Sequence, residues 1–263
     1  LTPLLCFVLF KFFFRTKLYI HEQNSKMGQT NKIFSKFSNK IFVNFDKEYS
    51  SINKYKKKIS VVGLPQKQNK NFSSYEKKKN ENNINFLVFA GSQGSFDILN
   101  TLTKIIEGLK NISNFKKIKF IVQCPLQKQN EIKNLLIQNK YDFEVKSFFY
   151  NFENILSKTD IALCRSGAGT INDLINFKIP AIIYPLPSAK DNHQYENARI
   201  LSDIDCAIII DKNKIDFDKI ILFIRKVVND KNFNKSLLNK YSKIKKQNTN
   251  ELMWTIIKND QKK

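Results

Sequence analysis

The run Cys164-Arg165-Ser166-Gly167-Ala168-Gly169-Thr170-Ile171-Asn172-Asp173 holds residues suited to gripping a phosphate and a sugar. An apolar stretch, Asp160 to Cys164, ends in small residues that open a segment of helical character. Backbone N–H groups at a helix start lack intrahelical partners, and the helix dipole favours an anion there. Asp173 stands about one turn into that helix, placed to accept hydrogen bonds from sugar hydroxyls. Downstream, Pro185-Leu186-Pro187 leads into Asp191-Asn192-His193-Gln194-Tyr195-Glu196-Asn197-Ala198, a polar run that is not core material. Together the two runs read as a nucleotide-sugar site. The plainer alternative is an ordinary strand–turn–helix junction, with glycines serving a tight turn and Asp173 favouring the helix dipole.

A third segment, Gly91-Ser92-Gln93-Gly94-Ser95, follows the apolar run Phe86 to Ala90 and precedes a helical pattern. Its glycines would let the backbone approach a diphosphate, and Ser92 could donate to a phosphate oxygen. G-x-x-G alone is equally a plain turn. His193 has no nucleophile near it in sequence, so a sugar contact suits it better than general-base work, either ring nitrogen serving as donor or acceptor. His21-Glu22 offers two metal ligands without a third, too few for a metal site. Satisfying loop backbone groups is their bland alternative.

These segments, with His21-Glu22-Gln23-Asn24 followed by Gly28 and Thr30-Asn31-Lys32, and with Val62-Gly63-Leu64-Pro65, resemble in order the motifs of the MurG family of GT-B glycosyltransferases. The resemblance runs from near residue 1 to about 260. It implies an α/β fold of the GT-B type, two Rossmann-like domains with parallel doubly wound sheets, the N-terminal one incomplete. It implies inverting transfer of N-acetylglucosamine from UDP-GlcNAc to the undecaprenyl-pyrophosphoryl muramyl-pentapeptide acceptor, with no cofactor and no metal. The implied donor contacts are Ser92, Gln93, Gly94, Lys67, Arg165, Ser166, Gly167, Ala168, Gly169, Thr170, Asp173, His193 and Gln194, with the backbone of Phe149 reading the uracil edge; core packing is the other reading of Phe149. His21, Glu22, Gln23 and Asn24 match the acceptor-facing segment. Asp173 replaces the family's longer Glu, and Leu64 its usual Asn. The family's glycine-rich loop carrying the general-base His has no counterpart here, so the resemblance implies an N-terminally incomplete enzyme. It also implies peripheral attachment to the cytoplasmic face of the inner membrane, an anionic membrane surface and cell-wall synthesis proteins as partners, and no nucleic acid. The alternatives are a non-catalytic UDP-sugar-binding subunit of a split transferase, and a GT-B enzyme with another lipid acceptor.

Composition agrees with a folded α/β protein. Of 263 residues 42% are hydrophobic, enough for a core. The net charge of +22 is carried almost wholly by Lys, since only Arg15, Arg165, Arg199 and Arg225 are Arg. Lys, Asn, Ile and Phe are all abundant, as an AT-rich coding sequence would give. With no zinc-finger spacing and no aromatic-plus-glycine RNA signature, the charge reads as a solvated surface that could favour anionic headgroups. Cys6, Cys124, Cys164 and Cys206 are far apart and read as buried thiols. Leu4 to Phe14 is apolar but too short to span a bilayer. It is expected to be a core helix; with Lys11, Arg15 and Lys17, Phe12–Phe14 could instead form an interfacial patch.

The elements that position these residues follow from period and punctuation. Residues 1–65 read as the remnant of one α/β domain: a helix over 4–14, a strand over 17–20, a loop holding the HEQN run, a helix over 30–38, a strand Lys40 to Val43, and a strand at Val61-Val62. Residues 66–83 are polar and aperiodic, a linker. From 84 to 240 strands and helices alternate, which predicts a second, parallel doubly wound sheet, with every motif at a strand's carboxyl end, where such sheets bind ligands. A single long helix over 231–260 is expected to close the chain, its part beyond 241 packing back on the first domain.

Overall fold

In the computed structural model, described over residues 16–47, 49–65, 83–90, 96–110, 117–186, 192–244 and 248–262, the chain divides into two units. One comprises residues 1–68 with 245–263, the other residues 69–244. The apolar N-terminal segment 1–15 and the linker 66–82 lie outside the described residues.

The first unit holds three parallel strands, β1 (Tyr19–Glu22), β2 (Lys40–Val43) and β3 (Ile59–Val61), in the order β1-β2-β3. Helix α1 (Gln29–Ser35) links the first two, and a 3-10 stretch, Ser50–Lys58, the last two. Met27, Ile41, Val43, Tyr49 and Ile52 form its core. The first strand corrects the expectation. It runs to Glu22, because His21 and Glu22 pair in register with Phe42 and Val43. Half of the HEQN run is therefore strand, not loop. The 3-10 stretch has no apolar periodicity that would announce it.

The second unit is a six-stranded parallel sheet of order β6-β5-β4-β7-β8-β9. Its strands are β4 (Asn83–Phe89), β5 (Lys117–Gln123), β6 (Asp142–Lys146), β7 (Ile161–Cys164), β8 (Ala181–Ile183) and β9 (Ala207–Ile209). Five helices follow the first five strands: α2 (Phe96–Leu109), α3 (Leu126–Gln138), α4 (Phe152–Lys158), α5 (Ala168–Phe177) and α6 (His193–Ser202). With helices on both faces, central strands must be apolar on both sides, and every residue of β7 is buried. The helix α2 turns Ile98, Leu102, Ile105 and Ile106 to the core at helical spacing, all but closed to water.

The chain closes with α7 (Phe217–Asn229), α8 (Lys231–Ser242) and α9 (Thr249–Gln261). The expected single helix over 231–260 is thus two helices in different units. Asn248 explains the break: its side chain accepts the Glu251 N–H and starts a new helix. The first of the pair is fixed in the second unit by the buried Tyr241 hydroxyl, which donates to the Ile179 carbonyl at 2.6 Å. The second is fixed in the first unit by Asp260. Its carboxylate accepts the Tyr19 hydroxyl at 2.9 Å and pairs with Lys17 at 3.7 Å. Burial, helped by this hydrogen bond, pushes the Tyr19 hydroxyl up to about 12.

Gly63 leaves β3 with φ +88°, and a Cβ there would lie 2.6 Å from the Thr249 hydroxyl. Both the dihedral and the close approach demand glycine. Gly63→Ala is expected to destabilise this unit by about 1–3 kcal/mol. Thr249→Ala in the same chain should recover only the steric part, as read by thermal denaturation.

Candidate functional site

The doubly wound sheet changes direction between β4 and β7, whose carboxyl ends lie side by side in register, Phe89 opposite Cys164. The topological switch point, where open α/β sheets bind ligands, therefore falls at these two strand ends. The stretch 91–95, with Ser92, Gln93 and Gly94, begins two residues beyond β4 and lies outside the described residues, as does Lys67. The other side of the switch point is fully described.

There Cys164 ends β7, Arg165-Ser166-Gly167 make the turn, and α5 begins at Ala168. Among the described residues no side chain caps α5: its N-cap is Gly167 and carries no side-chain bond. The first-turn N–H groups of Ala168, Gly169 and Thr170 thus face the turn without a side-chain acceptor. Ser166 is wholly buried, and its hydroxyl has no hydrogen-bond partner among the described residues. A buried hydroxyl left unmade costs about 1–3 kcal/mol, and this one stands at the start of α5. The space is open: a Cβ on Gly169 would meet nothing within 4 Å, and one on Gly167 only the Thr170 hydroxyl at 3.9 Å.

The turn is held from two sides. Asn197, fully buried on α6, donates from Nδ2 to the Ser166 carbonyl at 3.0 Å. Arg165 donates from Nη1 to the carbonyls of Tyr184 and Pro185, at 3.0 and 3.2 Å, and from Nη2 to Asp97 at 3.1 Å. Its guanidinium lies over the Tyr184 ring, 4.9 Å from the centroid. Arg165, expected among the donor contacts, is thereby a brace joining the exits of β7 and β8 to the first turn of α2. Neither Asp97 nor Asn197 was legible as a partner, since 68 and 31 residues separate them from the groups they hold.

Asp173 lies on α5, half-buried behind this turn. Burial, reinforced by the Glu153 carboxylate at the start of α4, pushes its pKa up to about 6. Burial also raises the Cys164 thiol, with the Asp173 charge adding to it, so that this cysteine stays protonated. Gln194 on α6 accepts the Leu186 N–H at 2.9 Å, tying the exit of β8 to the helix that carries His193. Arg199, one turn on, pairs with Glu196 at 3.8 Å and Asp203 at 3.4 Å. Phe149 is buried beyond β6, under the Lys146 ammonium at 5.6 Å.

The His21–Asn24 segment lies in the first unit and is internally bonded. Glu22 is 3% exposed. One carboxylate oxygen accepts the Asn24 N–H and side-chain amide at 3.0 and 3.2 Å; the other accepts the Gly28 N–H and the Asn31 amide at 2.9 and 2.8 Å. His21 Nε2 donates to the Gly63 carbonyl at 2.8 Å. Gln23 is exposed, and its carbonyl accepts the Asn44 amide at 2.9 Å. The Asn24 carbonyl accepts the Tyr49 hydroxyl at 3.1 Å. Glu22 thus shapes the loop that presents its neighbours. Among the described residues, no group of three His, Cys, Asp or Glu could hold a metal ion.

Residues 85–253 match the family model of the Glycosyltransferase family 28 C-terminal domain. A Rickettsia bellii (strain RML369-C) protein, UDP-N-acetylglucosamine--N-acetylmuramyl-(pentapeptide) pyrophosphoryl-undecaprenol N-acetylglucosamine transferase, is 32% identical over 222 residues, covering 83% of this chain and 62% of its own length. The protein of the same name from Rickettsia canadensis (strain McKiel) is 33% identical over 210 residues, 79% of this chain and 59% of its own. The chain therefore spans about three fifths of the length of these curated relatives. Among solved structures, Acinetobacter baumannii MurG superposes with a TM-score of 0.74 at 22% identity, over 95% of this chain and 70% of that one. The spinosyn rhamnosyltransferase SpnG, complexed with thymidine diphosphate, superposes with a TM-score of 0.62 at 14% identity, over 95% and 69%. The fold is accordingly of the GT-B type, α/β with parallel sheets.

Removing the Glu22 carboxylate strands four buried or half-buried donors. Glu22→Ala should cost about 2–4 kcal/mol of stability. Glu22→Gln, which turns one acceptor oxygen into a donor facing donors, should also destabilise, both read by urea denaturation.

Proposed function

The chain belongs to the glycosyltransferase 28 family through its C-terminal domain, and from that premise we propose that it binds UDP-N-acetylglucosamine and serves transfer of the sugar to an undecaprenyl-pyrophosphoryl muramyl-pentapeptide. The observation that carries the reading is the uncapped start of α5, with the unpartnered Ser166 hydroxyl buried in it and Asp173 on the same helix. The names of the Rickettsia relatives supply the donor and acceptor.

In this reading the donor's diphosphate sits at the first turn of α5. The N–H groups of Ala168, Gly169 and Thr170 and the Ser166 hydroxyl donate to it, and Ser92, Gln93, Gly94 and Lys67, all outside the described residues, are further donor contacts in this reading. Gly167 leaves the approach clear. Asp173 receives the ribose hydroxyls, Phe149 offers its backbone to the uracil, and His193 with Gln194 meets hydroxyls of the sugar. The acceptor hydroxyl attacks the anomeric carbon from the opposite face as the bond to UDP breaks, inverting the centre. The charge that develops on the leaving diphosphate is met by preorganised donors rather than by a required metal. Arg165 and Asn197 act indirectly by holding the turn in place. His21, Gln23 and Asn24 face the acceptor, in a loop shaped by Glu22. The setting is the membrane surface where a lipid-linked acceptor resides. Among the described residues no helix is long and apolar enough to cross a membrane.

Two measurements test the reading. Calorimetric titration of the full chain with UDP-GlcNAc should show binding that Ser166→Ala and Gly167→Val weaken; no binding at all would overturn it. Asp173 adds a pH signature. A carboxylate with its pKa at about 6 offers two charged acceptors above that pH and a neutral acid below it, so affinity should fall as the pH drops through 6. Asp173→Asn should flatten this dependence. The same variant should be more stable than the parent at pH 8, where burying the charge costs most. That gain should vanish near pH 4, where the parent Asp173 is protonated in the folded state and the burial cost is gone. Transfer of labelled GlcNAc to the lipid-linked acceptor then tests the acceptor.

A further inference from the structure

We propose that the free edge of the six-stranded sheet carries a second binding pocket, selective for a single-chain anionic amphiphile. A cavity of about 600 Å³ opens there, beside β9 and between α6, α7 and α8. Its size falls within the range of small-molecule sites. None of the residues assigned to the donor site lines it.

The walls are stripes of neighbouring secondary elements. The helix α7 buries Ile220, Phe223, Ile224, Val227 and Val228 in the core, and Ile221 lies where a Cβ on Gly108 of α2 would meet its Cδ1 at 3.0 Å. Lys219, Leu222 and Lys226, exposed at helical spacing, line the cavity together with the buried Phe223 beneath them. The helix α8 adds Phe233, Ser236 and Lys240 at the same spacing, and α6 adds Tyr195 and Ser202. The floor is Ala207 to Ile209 of β9, an edge strand with β8 on one side only.

The lining is divided between an apolar bed and a cationic rim. Phe223 and Phe233 meet edge to face, 5.9 Å between ring centroids. Leu222 and Tyr195 stand 50% and 41% exposed beside them, more apolar surface than a solvated helix face needs. Of the three lysines, Lys240 pairs with Asp205 at 2.9 Å. Lys226 lies 5.8 Å from the centre of the Phe233 ring, and neither it nor Lys219 has a carboxylate partner among the described residues. Asp205 is the one acid in the lining. Two cations seven residues apart on α7, about two helical turns, over an aromatic and aliphatic bed, complement a phosphate or carboxylate head on an alkyl chain. A neutral chain would leave the cations unpaired, and a bare anion would leave the bed wet.

Dodecyl phosphate, kept below its micelle concentration, is the probe. Titrated into the full chain and followed by amide chemical shifts, it should perturb α7, α8 and β9. Lys219→Glu with Lys226→Glu should weaken it about tenfold or more, the scale of two exposed charge contacts. Leu222→Ser should weaken it independently, with UDP-GlcNAc binding unchanged in both variants as the check on folding. Equal binding of dodecyl maltoside would overturn the proposal by showing a bare apolar patch. Equal competition by inorganic phosphate would overturn it by showing an anion site alone. Undiminished binding to the doubly charge-reversed chain would place the amphiphile elsewhere.

Discussion

The pairing of β7 against β4 governs the second unit. It is the step at which the chain, having laid β5 and β6 on one side of β4, crosses to the other. Four consecutive buried residues, Ile161 to Cys164, make that crossing possible, because a strand covered on both faces tolerates no polar side chain. Once β7 is fixed at the centre, the turn after Cys164 must emerge at the switch point. The start of α5 then opens there, where a Cβ on Gly169 would meet nothing within 4 Å. The buried Ser166 hydroxyl, the brace of Arg165 and the position of Asp173 all follow from that placement.

Two buried polar groups, Glu22 in the first unit and Ser166 in the second, are handled in opposite ways. In the first, the Glu22 carboxylate has every visible donor it can use, four contacts within 3.2 Å. A carboxylate so completely bonded within its own loop is committed to shape. In the second, the helix start lacks a cap and a buried hydroxyl lacks a partner. That incompleteness carries a cost in the folded chain, and it gives an incoming diphosphate something to satisfy. The contrast separates residues that build a site from residues that meet a ligand, although both sets stand in motifs of equal prominence. Arg165 illustrates the point: it stands within the most suggestive run, yet its donors reach carbonyls and Asp97.

Much of this was legible in the sequence. Alternating apolar runs and helical periods dictated a parallel doubly wound sheet, since both signals are local and depend only on which faces must be buried. The small residues after Cys164 marked the turn at a strand end for the same reason, whereas most of the polar run from Asn192 lies in α6. Boundaries read less well: β1 extends through Glu22 because β2 pairs with it, and the expected last helix divides at Asn248 because a side-chain cap begins a new one there. Neither cause is visible as periodicity.

By itself, then, the sequence determined the alternation of strands and helices, the apolar faces that become the core, and the short runs able to hold a phosphate and a sugar. Tertiary structure alone decided which of those residues are spent on the protein. Asp97 reaches Arg165, Asn197 reaches the Ser166 carbonyl, and Tyr241 reaches the Ile179 carbonyl, across 68, 31 and 62 residues of chain. It also decided that Lys219, Leu222 and Lys226 of α7 remain open beside an edge strand. Hydrogen bonds and charge pairs act over a few ångströms in space, whereas sequence patterns report neighbours along the chain, and only packing brings the two together.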